Sequence, residues 1–285
     1  MSEICTHLQA PSHRRLSPLI TPREHGAWGL LLVPLATGGA IGVLSGGSAL
    51  PLVPLTVAAL SLFWLRTPLE SCFGTGLLRA QSAQERRVVG TTILILAAVG
   101  AAALASLFWH GRHRVLLLLG ITALFAFVAQ AFLRRSGRRM RMPAQIVGTL
   151  GLTTTAAAAY YLTTGRLDRV AWALWLANFL FAGNQVHFVQ LCLHSARVSG
   201  WTEKLARGRS FLLGELLLIS ALWLACHFDL FPFLAALAFL PLVIRGVLWL
   251  FDRQTSLVVR RLGWTELAHA VAFGVLLSVA FTLRR

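Results

Sequence analysis

The chain has 285 residues, of which 56% are hydrophobic and 13% are charged, and its mean hydropathy is +0.71. A soluble domain of this size would need far more polar surface, so the composition excludes an ordinary soluble protein. The net charge of +16 would suit a nucleic-acid-binding protein, but the basic residues fall in short segments between apolar stretches, where membrane topology explains them. The sequence therefore predicts a membrane protein without a nucleic-acid partner.

Apolar stretches of about twenty residues predict membrane-spanning α-helices, because that length crosses roughly 30 Å of hydrocarbon. Nine such spans follow one another along the chain, at residues 26–45, 49–66, 88–109, 114–133, 144–164, 170–193, 210–228, 230–251 and 264–283. The second span has Pro51 and Pro54 in its first turns, so a re-entrant segment is the alternative there. The predicted fold is an all-α, polytopic transmembrane helical bundle.

The first twenty residues differ from the rest, since they hold no apolar core of signal-peptide length. We expect a flexible cytoplasmic tail at residues 1–20 and one transmembrane domain at residues 21–285. Nineteen of the 26 lysines and arginines fall on the side of the membrane where the amino terminus is predicted to lie. Six fall on the opposite side, and Arg245 lies inside the eighth span. This bias predicts a cytoplasmic amino terminus and an outer carboxyl terminus.

The first span begins with a crowded polar segment, Thr-Pro-Arg-Glu-His-Gly-Ala-Trp-Gly at residues 21–29. One interpretation is an ordinary helix start, since proline and glutamate are favourable in a first turn. The other is a rim at which Arg23, Glu24 and His25 bind an anionic headgroup.

Polar residues also occur in later spans, where they usually face the bundle or a water-filled cavity. Asn184, His187 and His194 recur at helical spacing in the sixth span. Two interpretations stay open for such residues: hydrogen bonds that fix helix packing, or a polar cavity at the cytoplasmic ends of the helices. The candidate ligand-binding residues are Arg23, Glu24, His25, Arg66, Glu70, Asn184, His187, Glu266 and His269.

Other features favour a structural role. Glu215 is expected to pair with an arginine, and Gly38 and Gly42 are expected to allow close helix packing. His187 and His194 are seven residues apart, which differs from the i, i+4 pair of helical zinc sites, so no metal site is predicted.

The polar segment carries a resemblance to a known family. Pro-Arg-Glu-His-Gly-Ala-Trp-Gly at residues 22–29, with Leu-Leu-Val-Pro after it, resembles the signature of the YwiC-like membrane proteins, a bacterial group with no assigned activity. The resemblance continues through residues 66–69 and 160–165. It implies a multi-pass protein of the bacterial cytoplasmic (inner) membrane.

A more distant likeness is to the UbiA superfamily of intramembrane prenyltransferases, which have nine helices and an active site at the cytoplasmic ends. Those enzymes hold Mg²⁺ with aspartate-rich motifs at the ends of the second and sixth helices. Here residues 66–74 contain one carboxylate and residues 184–194 contain none. The carboxylate count does not support Mg²⁺, and we expect no cofactor.

Three functions therefore stay open, and the carboxylate count favours the first. The protein binds a membrane lipid or another lipid-like, isoprenoid or quinone-like ligand in a cavity at the cytoplasmic face. Alternatively, it is a divergent UbiA-like transferase in which Arg23, Arg66 and histidines bind the diphosphate. A transporter is less favoured, because no repeated halves with matching broken spans occur. No catalytic residue is assigned.

Overall fold

A computed structural model describes residues 13–21, 25–74, 78–109, 113–195, 200–251 and 258–283. Every regular element in these residues is helical. The α-helices in chain order are α1 (His13–Ile20), α2 (His25–Leu44), α3 (Leu52–Phe73), α4 (Ala83–Trp109), α5 (His113–Arg135), α6 (Arg141–Thr164), α7 (Arg169–His194), α8 (Trp201–His227), α9 (Phe233–Leu237), α10 (Leu240–Phe251) and α11 (Val259–Leu283). A 3₁₀ turn at Arg138–Met140 joins α5 to α6. The all-α fold is confirmed.

Helix occupies each of the nine predicted spans. Six segments within the described residues are long and apolar enough to cross a membrane: Leu52–Phe73, Ala83–Trp109, Arg114–Arg135, Thr202–His227, Phe233–Phe251 and Val259–Leu283. The second predicted span, α3, is one continuous helix of 22 residues. The protein is thus a multi-pass helical membrane protein.

Two further helices, α6 and α7, are long but fall outside those six. Both are among the most buried helices of the chain, and they hold buried polar side chains such as Thr153 and Asn178. A helix that is surrounded by other helices meets little lipid, so its sequence can be more polar than that of a lipid-facing span.

The described chain divides into two compact units. The first unit comprises residues up to 25 and residues 53–110, and it contains α1, α3 and α4. The carbonyl groups at the end of α1 are bound by side chains of α3: Trp64 Nε1 donates to Ile20 O (2.6 Å) and Ser71 Oγ donates to Leu19 O (3.0 Å). Helix α1 therefore occupies part of the segment that the sequence predicted to be a tail, and residues 1–12 lie outside the described residues.

The second unit comprises residues 26–52 and 111–285. In this unit α2 lies against α6 through glycines, as the sequence predicted. A Cβ atom on Gly38 would lie 2.0 Å from the Ala156 carbonyl oxygen, and one on Gly42 would lie 1.8 Å from Thr163 Oγ1. The amide of Asn178 in α7 donates to Thr37 Oγ1 in α2 at 3.1 Å. Small residues thus let the backbones of α2 and α6 approach closely, and a side-chain hydrogen bond joins α2 to α7.

The α6–α7 connection is short and fully capped. Gly165 ends α6 with a positive φ of 75° and donates its N–H to Tyr161 O at 2.7 Å. Asp168 then begins α7 by accepting hydrogen bonds from the N–H groups of Val170 and Ala171. A left-handed glycine and an aspartate N-cap are typical of helix ends, so the sequence specifies this turn locally.

The eighth predicted span differs from a single helix, because it is divided into α9 and α10. Pro241 follows the break and has no backbone N–H to continue the helix from α9. The chain turns tightly there, and Phe239 N donates to Ala236 O at 3.1 Å. The division leaves α10 as a short helix whose Leu242, Arg245 and Gly246 are buried.

Candidate functional site

The nine residues proposed from the sequence fall into three groups. Arg23 and Glu24 lie outside the described residues, and His25 begins α2 without a described side chain. Arg66 and Glu70 belong to the first unit, where Arg66 Nε donates to Glu70 Oε1 at 2.9 Å one turn along α3. Such i, i+4 ion pairs stabilise a helix modestly.

Asn184, His187, Glu266 and His269 all belong to the second unit. Asn184 and Glu266 are buried and are brought together by a third residue, Arg245. His187 lines a cavity, whereas His269 Nδ1 donates to Thr265 O within its own helix (2.7 Å). The structure thus joins two of the four, Asn184 and Glu266, through Arg245.

A buried polar network connects α7, α8, α10 and α11. The Arg245 guanidinium donates to Glu266 Oε2 through Nη1 and to Asn184 Oδ1 through Nη2 (2.9 Å). Asn184 Nδ2 in turn donates to Glu215 Oε1 at 2.7 Å. All four residues are less than 10% exposed. Charges in such a place are tolerated only when they are paired and hydrogen-bonded, and the planar guanidinium can serve two acceptors at once.

Further contacts hold the network in place. The ring of Phe188 lies against the Arg245 guanidinium, 4.0 Å from ring centroid to Cζ, which is a cation–π contact. Gln185 Nε2 donates to the Glu266 carbonyl oxygen at 2.9 Å. Asn184, Gln185 and Phe188, which lie within about one turn of α7, therefore contact α10 and α11.

Arg245 is the residue that sequence reasoning left unassigned. Its signal was visible, since it is the one lysine or arginine inside a predicted span rather than at the end of one. Glu215 was expected to pair with an arginine, and in the structure it reaches Arg245 through the amide of Asn184. Neither residue was among the proposed ligand-binding candidates.

A cavity of about 1250 Å³ lies at one end of α5, α6, α7 and α8. Four arginines and two histidines line it: Arg134, Arg139, Arg141, Arg207, His187 and His194. The described residues that line it include no aspartate or glutamate, and its other polar groups are glutamines and serines. Gln190 Nε2 donates to Gln145 Oε1 at 3.1 Å and ties α7 to α6 at the wall. A cavity of this composition attracts anions.

The cavity and the buried network share a wall. His187 lies one turn beyond Asn184 on α7, and its Nε2 is 3.4 Å from Ser210 Oγ of α8. The ring of Phe211 packs edge-on against His187, with 5.4 Å between ring centroids. A Cβ on Gly246 would lie 2.9 Å from Phe211 and 3.1 Å from Glu215 Oε1, so α10 approaches α8 closely at this level.

The fold and the two features of the second unit define a multi-pass helical membrane protein with a buried ion pair beside a basic cavity. A family model described as "YwiC-like protein" matches residues 21–160. The protein named "Uncharacterized protein YwiC" from Bacillus subtilis (strain 168) is 22% identical over 274 residues, which are 92% of this chain and 98% of that protein. These findings confirm the resemblance to the YwiC-like family that the polar segment at residues 22–29 predicted.

No solved structure matches this chain. The likeness to the UbiA superfamily therefore stays a prediction from the sequence.

Proposed function

We propose that this protein binds the anionic headgroup of a lipid-like or isoprenoid molecule in the basic cavity of the second unit. The main support is the composition of the cavity, which has four arginines and no acidic residue among its described lining residues. Guanidinium groups match phosphate, diphosphate and carboxylate through paired N–H donors. The volume of about 1250 Å³ is larger than an inorganic ion requires and suits a headgroup with part of its chain.

The apolar part of such a ligand would lie on the outer surface of the same helices. Three exposed apolar residues lie within three positions of a cavity-lining residue: Phe132 in α5, Leu193 in α7 and Leu213 in α8. A ligand with an anionic head in the cavity would place its hydrocarbon chain along these side chains. A free anion would leave this apolar surface to the membrane lipids.

The arginine bias of the sequence supports a cavity at the cytoplasmic face of a bacterial inner membrane, because its four arginines all belong to the basic side: Arg134, Arg139, Arg141 and Arg207. Among the sequence candidates whose side chains the structure describes, His187 is the one that lines the cavity. The ligand-binding role of Arg66 and Glu70 stays a prediction from the sequence.

The test is ligand binding by the full chain in detergent. Native mass spectrometry first identifies lipids that copurify, and titrations then compare farnesyl diphosphate, inorganic diphosphate, farnesol and a quinone. We expect farnesyl diphosphate to bind more tightly than the other three, because it alone has both the anionic head and the chain. Its affinity should fall as ionic strength rises, since salt screens the contacts with arginine.

A double substitution, Arg139→Gln with Arg141→Gln, removes two cavity charges. The matched control is Arg260→Gln with Arg261→Gln, which removes two exposed charges from α11 outside the cavity lining. Hydrogen bonds to charged groups contribute about 1.5–3 kcal/mol each, and about 1.4 kcal/mol is a factor of ten, so the first variant should bind at least about tenfold more weakly. Equal loss in both variants, or no binding by the unsubstituted protein, would contradict the proposal.

The same samples distinguish binding from transfer. Release of diphosphate from the farnesyl probe would indicate the divergent transferase, and we expect none. Binding should also be unchanged by a metal chelator, because within the described residues no three histidine, cysteine, aspartate or glutamate side chains gather as a metal site requires.

A further inference from the structure

The buried network of the second unit has more carboxylates than cations. It contains Glu215 and Glu266 but one guanidinium, that of Arg245. If all three were ionised, the interior of the bundle would hold one uncompensated negative charge. Burying an unpaired charge is so costly that a carboxylate in this position takes up a proton or another cation instead.

The contacts indicate which carboxylate is the uncompensated one. Glu266 Oε2 accepts directly from the Arg245 guanidinium, so its charge is matched. Glu215 instead accepts from a neutral amide through Oε1. Each carboxylate also has one buried oxygen without a hydrogen-bond partner, Oε2 of Glu215 and Oε1 of Glu266, so the direct contact with Arg245 is what distinguishes them. Glu215 as a whole is 8% exposed.

The orientation of Asn184 follows from Arg245. A guanidinium can only donate, so Asn184 must turn Oδ1 toward Arg245 and Nδ2 toward Glu215. Asn184 can therefore donate to Glu215 but cannot accept a proton from it at Nδ2. The position left for a proton on Glu215 is Oε2.

We propose that Glu215 is an exchangeable proton-binding site in the interior of this membrane protein, and that its occupancy is set by the charge balance with Arg245 and Glu266. The charged and titratable groups around Glu215 are Arg245 from α10, Glu266 from α11 and His187 from α7, while α9 (Phe-Leu-Ala-Ala-Leu) has none. This inference does not depend on the identity of any headgroup in the cavity.

Exchange with water is possible from the cavity side. His187 lines the cavity and lies against α8 at Gly214, where a Cβ would be 3.0 Å from His187 Nδ1. Gly214 is the residue before Glu215, so a cavity-lining imidazole contacts α8 next to the residue that bears the carboxyl group. A histidine in this position can pass a proton without a change of fold.

The test is infrared spectroscopy of the full chain in detergent at neutral pH, where a protonated carboxyl group gives its own C=O stretching band. The unsubstituted protein should show a band from one buried carboxylic acid that shifts in D₂O. Glu215→Gln should remove this band. The matched control on the same helix, Glu203→Gln, breaks an exposed ion pair with Arg207 and should leave it.

Glu266→Gln provides the sharper measurement. With Glu266 neutral, Arg245 has no other anion, so Glu215 should ionise and the band should disappear although Glu215 is still present. A band that persists in Glu266→Gln would contradict the claim that charge balance with Arg245 and Glu266 sets the protonation of Glu215. A band that never shifts in D₂O would contradict the claim that this proton exchanges. If a variant does not fold, the unsubstituted protein alone tests the proposal. Proton binding would be refuted if this protein showed no band from a buried carboxylic acid. It would also be refuted if the band disappeared when sodium replaces choline in the buffer.

Discussion

Arg245 of α10 and Glu266 of α11 form an ion pair inside the second unit, where their side chains are 9% and 3% exposed. The same guanidinium also binds Asn184 of α7, so one side chain joins three helices. Removing one member of a buried pair leaves the other charge without compensation, whereas removing both leaves no charge. The pair therefore governs both the stability and the charge of the helix interior.

We expect Arg245→Met to reduce the free energy of unfolding by about 3–5 kcal/mol, because Glu266 loses its cation. The double variant Arg245→Met with Glu266→Leu should be more stable than Arg245→Met alone. Chemical denaturation in detergent, followed by tryptophan fluorescence, measures both. Breaking the exposed pair with Glu203→Gln should cost less than about 1 kcal/mol, and a similar loss in both single variants would argue against a special role of the buried pair.

Gly38→Ala should destabilise the protein by about 1–3 kcal/mol, because the added methyl group would overlap the Ala156 carbonyl oxygen and push α2 away from α6. Gly120→Ala is the matched control, since a Cβ there meets no atom within 4 Å. It should be neutral or stabilising, because alanine is the better helix former. Thermal unfolding of the two variants compares them, and equal melting temperatures would show that the close contact between α2 and α6 has no energetic consequence.

Asp168→Ala should destabilise the start of α7 by about 1 kcal/mol. The substitution removes the acceptor of the Val170 and Ala171 N–H groups and of the Tyr160 hydroxyl (3.3 Å). Asp168→Asn keeps a capping oxygen and should recover most of the loss. Hydrogen exchange of the first turn of α7 reports this locally, and unchanged exchange in Asp168→Ala would mean that the cap is dispensable.

The arginine bias predicts that the amino terminus is cytoplasmic and the carboxyl terminus is outside. Alkaline phosphatase, which is active only outside the cytoplasm, should therefore be active when it is fused after residue 285, and green fluorescent protein should be dark there. Fusions at the amino terminus should behave in the opposite way. Two termini on the same side of the membrane would require an even number of spans. The assignment of the cavity to the cytoplasmic face would then have to be revised.

Much of the fold could be predicted because its signals are local. Each predicted span needs only its own length and hydropathy, and helix is present at all nine positions. The cap at Asp168 and the break before Pro241 also depend on neighbours in the chain, although the eighth span was predicted as one helix and the cap was not predicted. The resemblance to the YwiC-like family also rests on a short run, residues 22–29.

The candidate site was predicted only in part. Asn184 and Glu266 could be singled out because a polar residue inside a span is conspicuous by itself. Their connection through Arg245 could not, because it requires α7, α10 and α11 to pack with these residues at one level. The cavity arginines were interpreted as topology signals, and only the packing of α5, α6, α7 and α8 makes four of them the wall of one cavity.

By itself, therefore, the sequence determined which segments are membrane helices, where several of them end, and which family the chain resembles. Only the tertiary structure decided which helices are enclosed by others, which charges meet in the interior, and which arginines surround a cavity. The physical reason is that hydropathy, capping and motif depend on residues close together in the chain, whereas charge pairing and cavities depend on residues that packing alone brings together.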